Sequence, residues 1–128
     1  MLEQLLGQAL MAGETVQLEE YLSARGHWPA EEINLELVGA FAVLVGQLVT
    51  RPNPPVAALE NLLDAWAGLA DNETADKLWP CLAAASYGRV GMVRPDWRAD
   101  EVSKLQKLAP SLHQQLQKIV RAELQKLE

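Results

Sequence analysis

An all-α domain of stacked antiparallel helical hairpins is the fold that the sequence predicts. Three observations carry it. Leu, Ala, Gln, Glu and Lys dominate, while strand-favouring residues are sparse and no stretch alternates with period two. Breakers such as Gly13, Gly26, Pro52 and Pro110 divide the chain into about six or seven helix-length runs. A shift of 43 residues, which carries Arg51-Pro52 onto Arg94-Pro95, superposes helix on helix and loop on loop without a gap.

The first helix spans Leu2–Met11 and stops at Gly13. The second spans Glu14–Ala24, with Val16, Tyr21 and Leu22 apolar beside Glu19 and Glu20, and Gly26 just past its end. "HWPAEEIN" opens the third. Pro29 falls in the first turn, where its missing N–H does no harm, and Glu31 and Glu32 meet the positive end of the helix dipole. This helix runs to Val49 and holds "LVGAFAVLVGQLVT", fourteen residues without a charge. A membrane span needs about 20, so the stretch is expected as a helix buried on most of its faces.

"TRPNPP" ends that helix, and the fourth covers Pro55–Leu69 with Asn53 as its expected cap. Leu59, Leu62, Leu63, Trp66 and Leu69 form one apolar stripe along it. The fifth covers Glu73–Val90 with Pro80 inside, which implies a kink near Asp76–Lys77 or a fresh start just before Pro80. After "GMVRPDW" the sixth covers Ala99–Leu108, with Asp96 able to cap it and Val102, Leu105 and Leu108 facing in. Pro110 interrupts, Ser111 can cap the seventh, and that helix reaches Leu127 on an apolar face that includes Leu116, Ile119 and Leu124.

The 43-residue shift also sets Leu35 on Leu78, Ala40 on Ala83, Ala42 on Ala85 and Leu62 on Leu105. The repeating unit is a long helix, an Arg-Pro corner and a second helix, over residues 30–70 and again over 73–113. Proline stops one helix at each corner and biases the residue before it away from helix. Period and helix pattern resemble the HEAT and armadillo repeats, helical hairpins of about 40 residues. Pro80 inside a first helix carries that resemblance further, while Val93-Arg94, followed by Pro95, departs from the family's Val-Arg entry into the second helix, and Thr50-Arg51 departs more. It implies a short right-handed α-solenoid, in which residues 1–26 form an N-terminal capping hairpin and 111–128 a C-terminal capping helix, all within one domain. A compact helical bundle without a true repeat is the alternative.

Length and 49% apolar content suit one globular domain of 128 residues. The opening "MLEQLLGQAL" lacks a basic cluster and makes a poor signal peptide, and Cys81 is the single cysteine. A cytoplasmic protein is expected, with no membrane segment. Charge is uneven. Twelve acidic and two basic residues up to Asp76 give −10, and nine basic and five acidic from Lys77 onward give +4. Chance distribution over solvated faces competes here with head-to-tail association, or with an acidic face that recruits a basic partner.

Nothing in the sequence assembles catalytic chemistry. His27 and His113 lie far apart, and neither has a His or Cys three or four residues away, so no zinc spacing exists. Cys81 reads as a core thiol, and Glu19-Glu20 and Glu31-Glu32 as a solvated face and a helix start. No phosphate-cradling glycine loop or nucleophile elbow occurs. No cofactor or metal is expected, and the protein is expected not to be an enzyme. The basic stretch Arg89–Lys107, with Tyr87 and Trp97, offers a nucleic-acid reading that the pI of 4.9 opposes. The leading expectation is an interaction module for a protein or peptide, of adaptor, chaperone-like or inhibitor/immunity-like kind. Its candidate contact residues are Trp28, Arg51, Arg94, Trp97 and Arg98, because Trp and Arg dominate binding hot spots. A homodimer through the amphipathic last helix is a further possibility.

Overall fold

A computed structural model of the chain describes residues 2–25, 35–71, 78–108 and 114–127. The protein is all-α: seven α-helices and two short 3-10 turns, with no strand among the described residues. The helices are α1 (Leu2–Ala12), α2 (Val16–Arg25), α3 (Leu35–Val49), α4 (Val56–Gly68), α5 (Leu78–Val93), α6 (Arg98–Leu108) and α7 (Gln114–Leu127).

Local chemistry explains most of the boundaries. Gly13 takes φ +69°, a left-handed value that a Cβ would strain, and its N–H bonds back to the Ala9 carbonyl at 2.9 Å. Pro80 lies within the described part of α5, and Asp76–Lys77, where the kink or fresh start was expected, lies outside the described residues. Two expected caps are not made. α4 starts at Val56 with Pro55 at its N-cap and no side-chain cap, and Asn53 is exposed. Pro54 and Pro55 themselves set the chain direction, so the cap is dispensable. Asp96 sits inside the 3-10 turn Pro95–Trp97 and gives its carboxylate to Arg94 instead. The expected helix starts around Pro29, Glu73 and Ser111 lie outside the described residues.

α5 is the axis of the molecule. α3, α4, α6 and α7 all pack against it, while α1 pairs with α2 and touches α4. Only Trp79, Arg89, Met92 and Val93 on α5 escape full burial. Its small residues make this possible. Ala83, Ala84 and Ala85 are buried, and a Cβ on Gly88 would fall on the Glu123 carboxylate of α7. A Cβ on Gly91 would stand 2.9 Å from Leu127. The buried Ser86 hydroxyl donates to the Leu82 carbonyl at 2.6 Å, so no donor is orphaned there.

The expectation for α3 needs correcting in degree. Its core side includes Phe41, Val45 and Val49, but Gly39, Ala40, Val43 and Gln47 are exposed. Lack of charge removes the demand for water without supplying neighbours to exclude it. A tilted aromatic row ties the layers together. Trp66 on α4 lies 5.5 Å from Phe41 on α3 and 5.1 Å from Trp79 on α5, ring centre to ring centre. On α7, Val120 and Leu127 are buried and Ile119 and Leu124 pack on the same core. The apolar face of the last helix is therefore turned inward.

Candidate functional site

The two Arg-Pro corners meet in space, and Arg94 joins them. Its Nη1 donates to the Val49 carbonyl at 2.9 Å, at the end of α3. Nε and Nη2 form a fork on the Asp96 carboxylate at 3.0 and 2.8 Å. The guanidinium carbon stands 3.7 Å from the ring centre of Trp97. Its hydrogen bonds to Arg94 hold the Asp96 carboxyl below the usual carboxylate range, and the same bonds raise Arg94. Two predicted contact residues, Arg94 and Trp97, thus serve a clasp within the fold. Arg94→Lys removes the planar fork, so its Tm falls by a few degrees and Trp97 emission shifts to the red. Calorimetry and fluorescence check this, and an unchanged Tm would refute the clasp.

Arg51 lies exposed at the first corner and pairs with Glu3 of α1 at 3.4 Å. Arg98 donates to the Gly91 carbonyl at 3.3 Å from an otherwise exposed position. Trp28 lies outside the described residues. The structure therefore gathers Arg94 and Trp97 and leaves Arg51 and Arg98 as separate surface cations.

Between α4, α5 and α6 lies a polar cluster that sequence reasoning missed. Glu101 is only 4% exposed. Lys104 stands 3.7 Å from it and 3.5 Å from Glu60, and its ammonium lies 5.3 Å from the Tyr87 ring centre. The Tyr87 hydroxyl donates to Asp64 at 2.6 Å. Burial pushes the Glu101 carboxyl up to about 7, with Lys104 opposing and Glu60 and Asp100 adding to the rise. Burial and the Asp64 contact likewise push the Tyr87 hydroxyl well above its ordinary range. Glu101 escaped notice because its sequence neighbours Ala99 and Asp100 are exposed. Its alignment with Leu105 and Leu108 on one helical face was the available signal.

The widest apolar gap lies elsewhere, where α3 and α7 stand apart over α5. Its walls carry Val43 of α3, at 38% exposure, and Ile119 of α7, half-buried. Ala85, Arg89 and Met92 of α5 form the floor, with Met92 at 43% exposure. Gly39, Ala42 and Ala122 along the sides leave room for a close approach. Arg89 lies half-buried over Gly46, where a Cβ would stand 2.9 Å from its Cγ. Among the described residues no carboxylate pairs with Arg89. Glu123, whose carboxylate packs over Gly88 of α5, also lines the gap and pairs with Lys126 at 3.1 Å.

The chain matches no family model, no curated protein and no solved structure. Its function has to be read from this surface.

Chemically, the groove offers apolar contact, the Glu123–Lys126 pair and a guanidinium, Arg89, that pairs with no carboxylate among the described residues. No group of three or more His, Cys, Asp or Glu that could hold a metal ion occurs among the described residues. No helix among them is long and apolar enough to cross a membrane. Sequence reasoning passed over Val43 and Met92 because each falls inside an apolar run that also supplies core residues. Only helical phase separates Val43 from Phe41 and Val45.

Proposed function

We propose that the protein is a non-enzymatic interaction module that docks a protein segment in the groove between α3 and α7. The observation that carries this reading is the exposed Val43 and Met92 pair, set with Ile119 around small side chains and beside Arg89. Apolar recesses with a few placed polar groups are the usual form of a docking site. In this reading α3–α6 are two stacked hairpins, closed at the ends by α1–α2 and by α7. One feature supports it: α3 and α5 each end against an Arg-Pro corner. The enclosure of α5 by four helices favours the compact bundle as the second arrangement.

The nucleic-acid reading fares worse on the geometry. Arg94 and Lys104 of the basic stretch hold carboxylates, and Tyr87 is buried. A homodimer through the apolar face of α7 competes with that face's own packing on α5. The acidic surface of α1–α2 remains suited to a basic partner.

Met92→Asp tests the groove without touching the buried core. The altered protein keeps its helical circular dichroism and Tm, but loses a discrete partner that the unaltered chain captures. Capture by Met92→Asp and by Val43→Glu equal to that of the unaltered chain would overturn the proposal.

A further inference from the structure

Other clusters and cavities of the molecule are already complete. The Glu101 cluster has Lys104 as its counter-ion and opens on no further ligand space of consequence. Cys81 is buried. The cleft beside Trp66 has its one carboxylate, Glu19, already engaged by Thr15 and by the Trp66 indole N–H. The groove is the feature whose chemistry is incomplete.

What would complete it stands on the opposite side of the same molecule. Met11, at the end of α1, is 92% exposed, the most exposed large apolar side chain among those described. Val16, across the Gly13 turn, is 51% exposed. Glu14 and Glu20 are exposed on the same short hairpin. This corner is a convex apolar knob with carboxylates beside it. The groove is concave and mostly apolar, and it carries Arg89, which pairs with no carboxylate among the described residues, and Glu123, held by Lys126, with Lys118 and Arg121 exposed on the neighbouring helix.

Knob and groove cannot meet within one chain. Ala85, Arg89 and Met92 share one side of α5, because residues three and four apart face the same way. Tyr87 and Val90 point to the other side, towards the cavity that α4 also lines. α1 touches α4 and so belongs to that second side. Two surfaces that complement each other on opposite faces form a heterologous, head-to-tail contact.

We infer that the groove takes the α1–α2 corner of a second copy of this chain, Met11 entering beside Met92 and Val43 while Glu14 neutralises Arg89. This rests on the groove being a docking site and names its occupant. One knob in one groove is a small contact, below the area of about 1,000 Å² that stable complexes bury, so association is weak and concentration-dependent. Its charge component shrinks as the screening length falls from about 8 Å at physiological salt to about 3 Å at 1 M.

Sedimentation velocity on the whole chain tests it. The weight-average sedimentation coefficient is expected to rise steadily up to about 500 μM, the range in which contacts of this weakness populate, and to rise less at high salt. Met11→Asp and Val43→Glu are both exposed and leave the fold intact. Each abolishes the rise alone. Mixed, they form a one-to-one dimer that grows no further, since one retains the groove and the other the knob. Arg89→Glu weakens association and Arg89→Glu with Glu14→Arg restores it. A chain that stays monomeric at that concentration overturns the inference, as does association that survives both single variants or a mixture that fails to pair. Should the chain stay monomeric while Met92→Asp still loses a captured partner, the docking groove stands and only its occupant is wrong.

Discussion

Trp66→Ala lowers the stability of the protein by about 3–5 kcal/mol, the range for deleting a buried indole. Trp66 is 2% exposed and occupies the middle of the row formed with Phe41 and Trp79. Its removal opens a void where α3, α4 and α5 converge and ends two aromatic contacts at once. It also deprives Glu19 of α2 of the indole donor, 3.3 Å away, leaving that carboxylate with the Thr15 hydroxyl at 3.0 Å. Domains of this kind are stable by about 5–15 kcal/mol in total, so the variant is marginal at room temperature. Trp66→Phe retains most of the packing and loses the donor, for a smaller cost of about 1–2 kcal/mol. Urea unfolding of the three proteins measures the series. An alanine variant within about 1 kcal/mol of the parent would show that the row closes without Trp66.

The second large effect depends on pH. The folded chain holds Glu101 at about 7, against 4.5 for an ordinary glutamate. A raised folded value means that the native state prefers the protonated acid. The stability contributed by Glu101 is therefore full below about 4.5 and is lost as pH climbs through about 7. Glu101→Gln cannot ionise, so it escapes that loss. It should match the parent near about pH 4 and exceed it by about 1–3 kcal/mol near about pH 8, since each unit of displacement is worth about 1.4 kcal/mol. The lower end of the range allows for the Lys104 pair that the variant gives up. Lys104 keeps Glu60 at 3.5 Å and is not stranded. Denaturant midpoints across the pH range provide the measurement. A glutamine variant less stable than the parent near about pH 8 would mean that the ion pair outweighs the desolvation.

How much of this was legible beforehand varies by element. The stripe Leu59, Leu62, Leu63, Trp66 announced α4 and its buried face, because helical spacing is local and the residues are unambiguous. The Arg-Pro corners were visible as breaks, for proline acts on its own turn. What Arg94 does there was not visible. Its partners Val49 and Asp96 come together only once two corners forty-three residues apart are adjacent. The long uncharged run predicts a helix buried on most of its faces, yet it is α5 that is buried so, through Gly88, Gly91 and its alanines. Side-chain size at a helix crossing is a tertiary fact, and hydropathy does not register it. The groove was hidden for a related reason. Val43 and Met92 have the composition of core, and only the gap left between α3 and α7 makes them surface.

The burial of most of α5 has a consequence for the order in which the protein can be made. Leu78–Val93 is wrapped by helices from both directions along the chain, and Leu127, which covers Gly91, is synthesised after it. At about 5–20 residues per second, α5 leaves the ribosome a few seconds before α7 can shield it. During that interval its alanine and glycine face is bare. A nascent chain arrested before α7 should therefore recruit holdase chaperones, and release of the full length should discharge them.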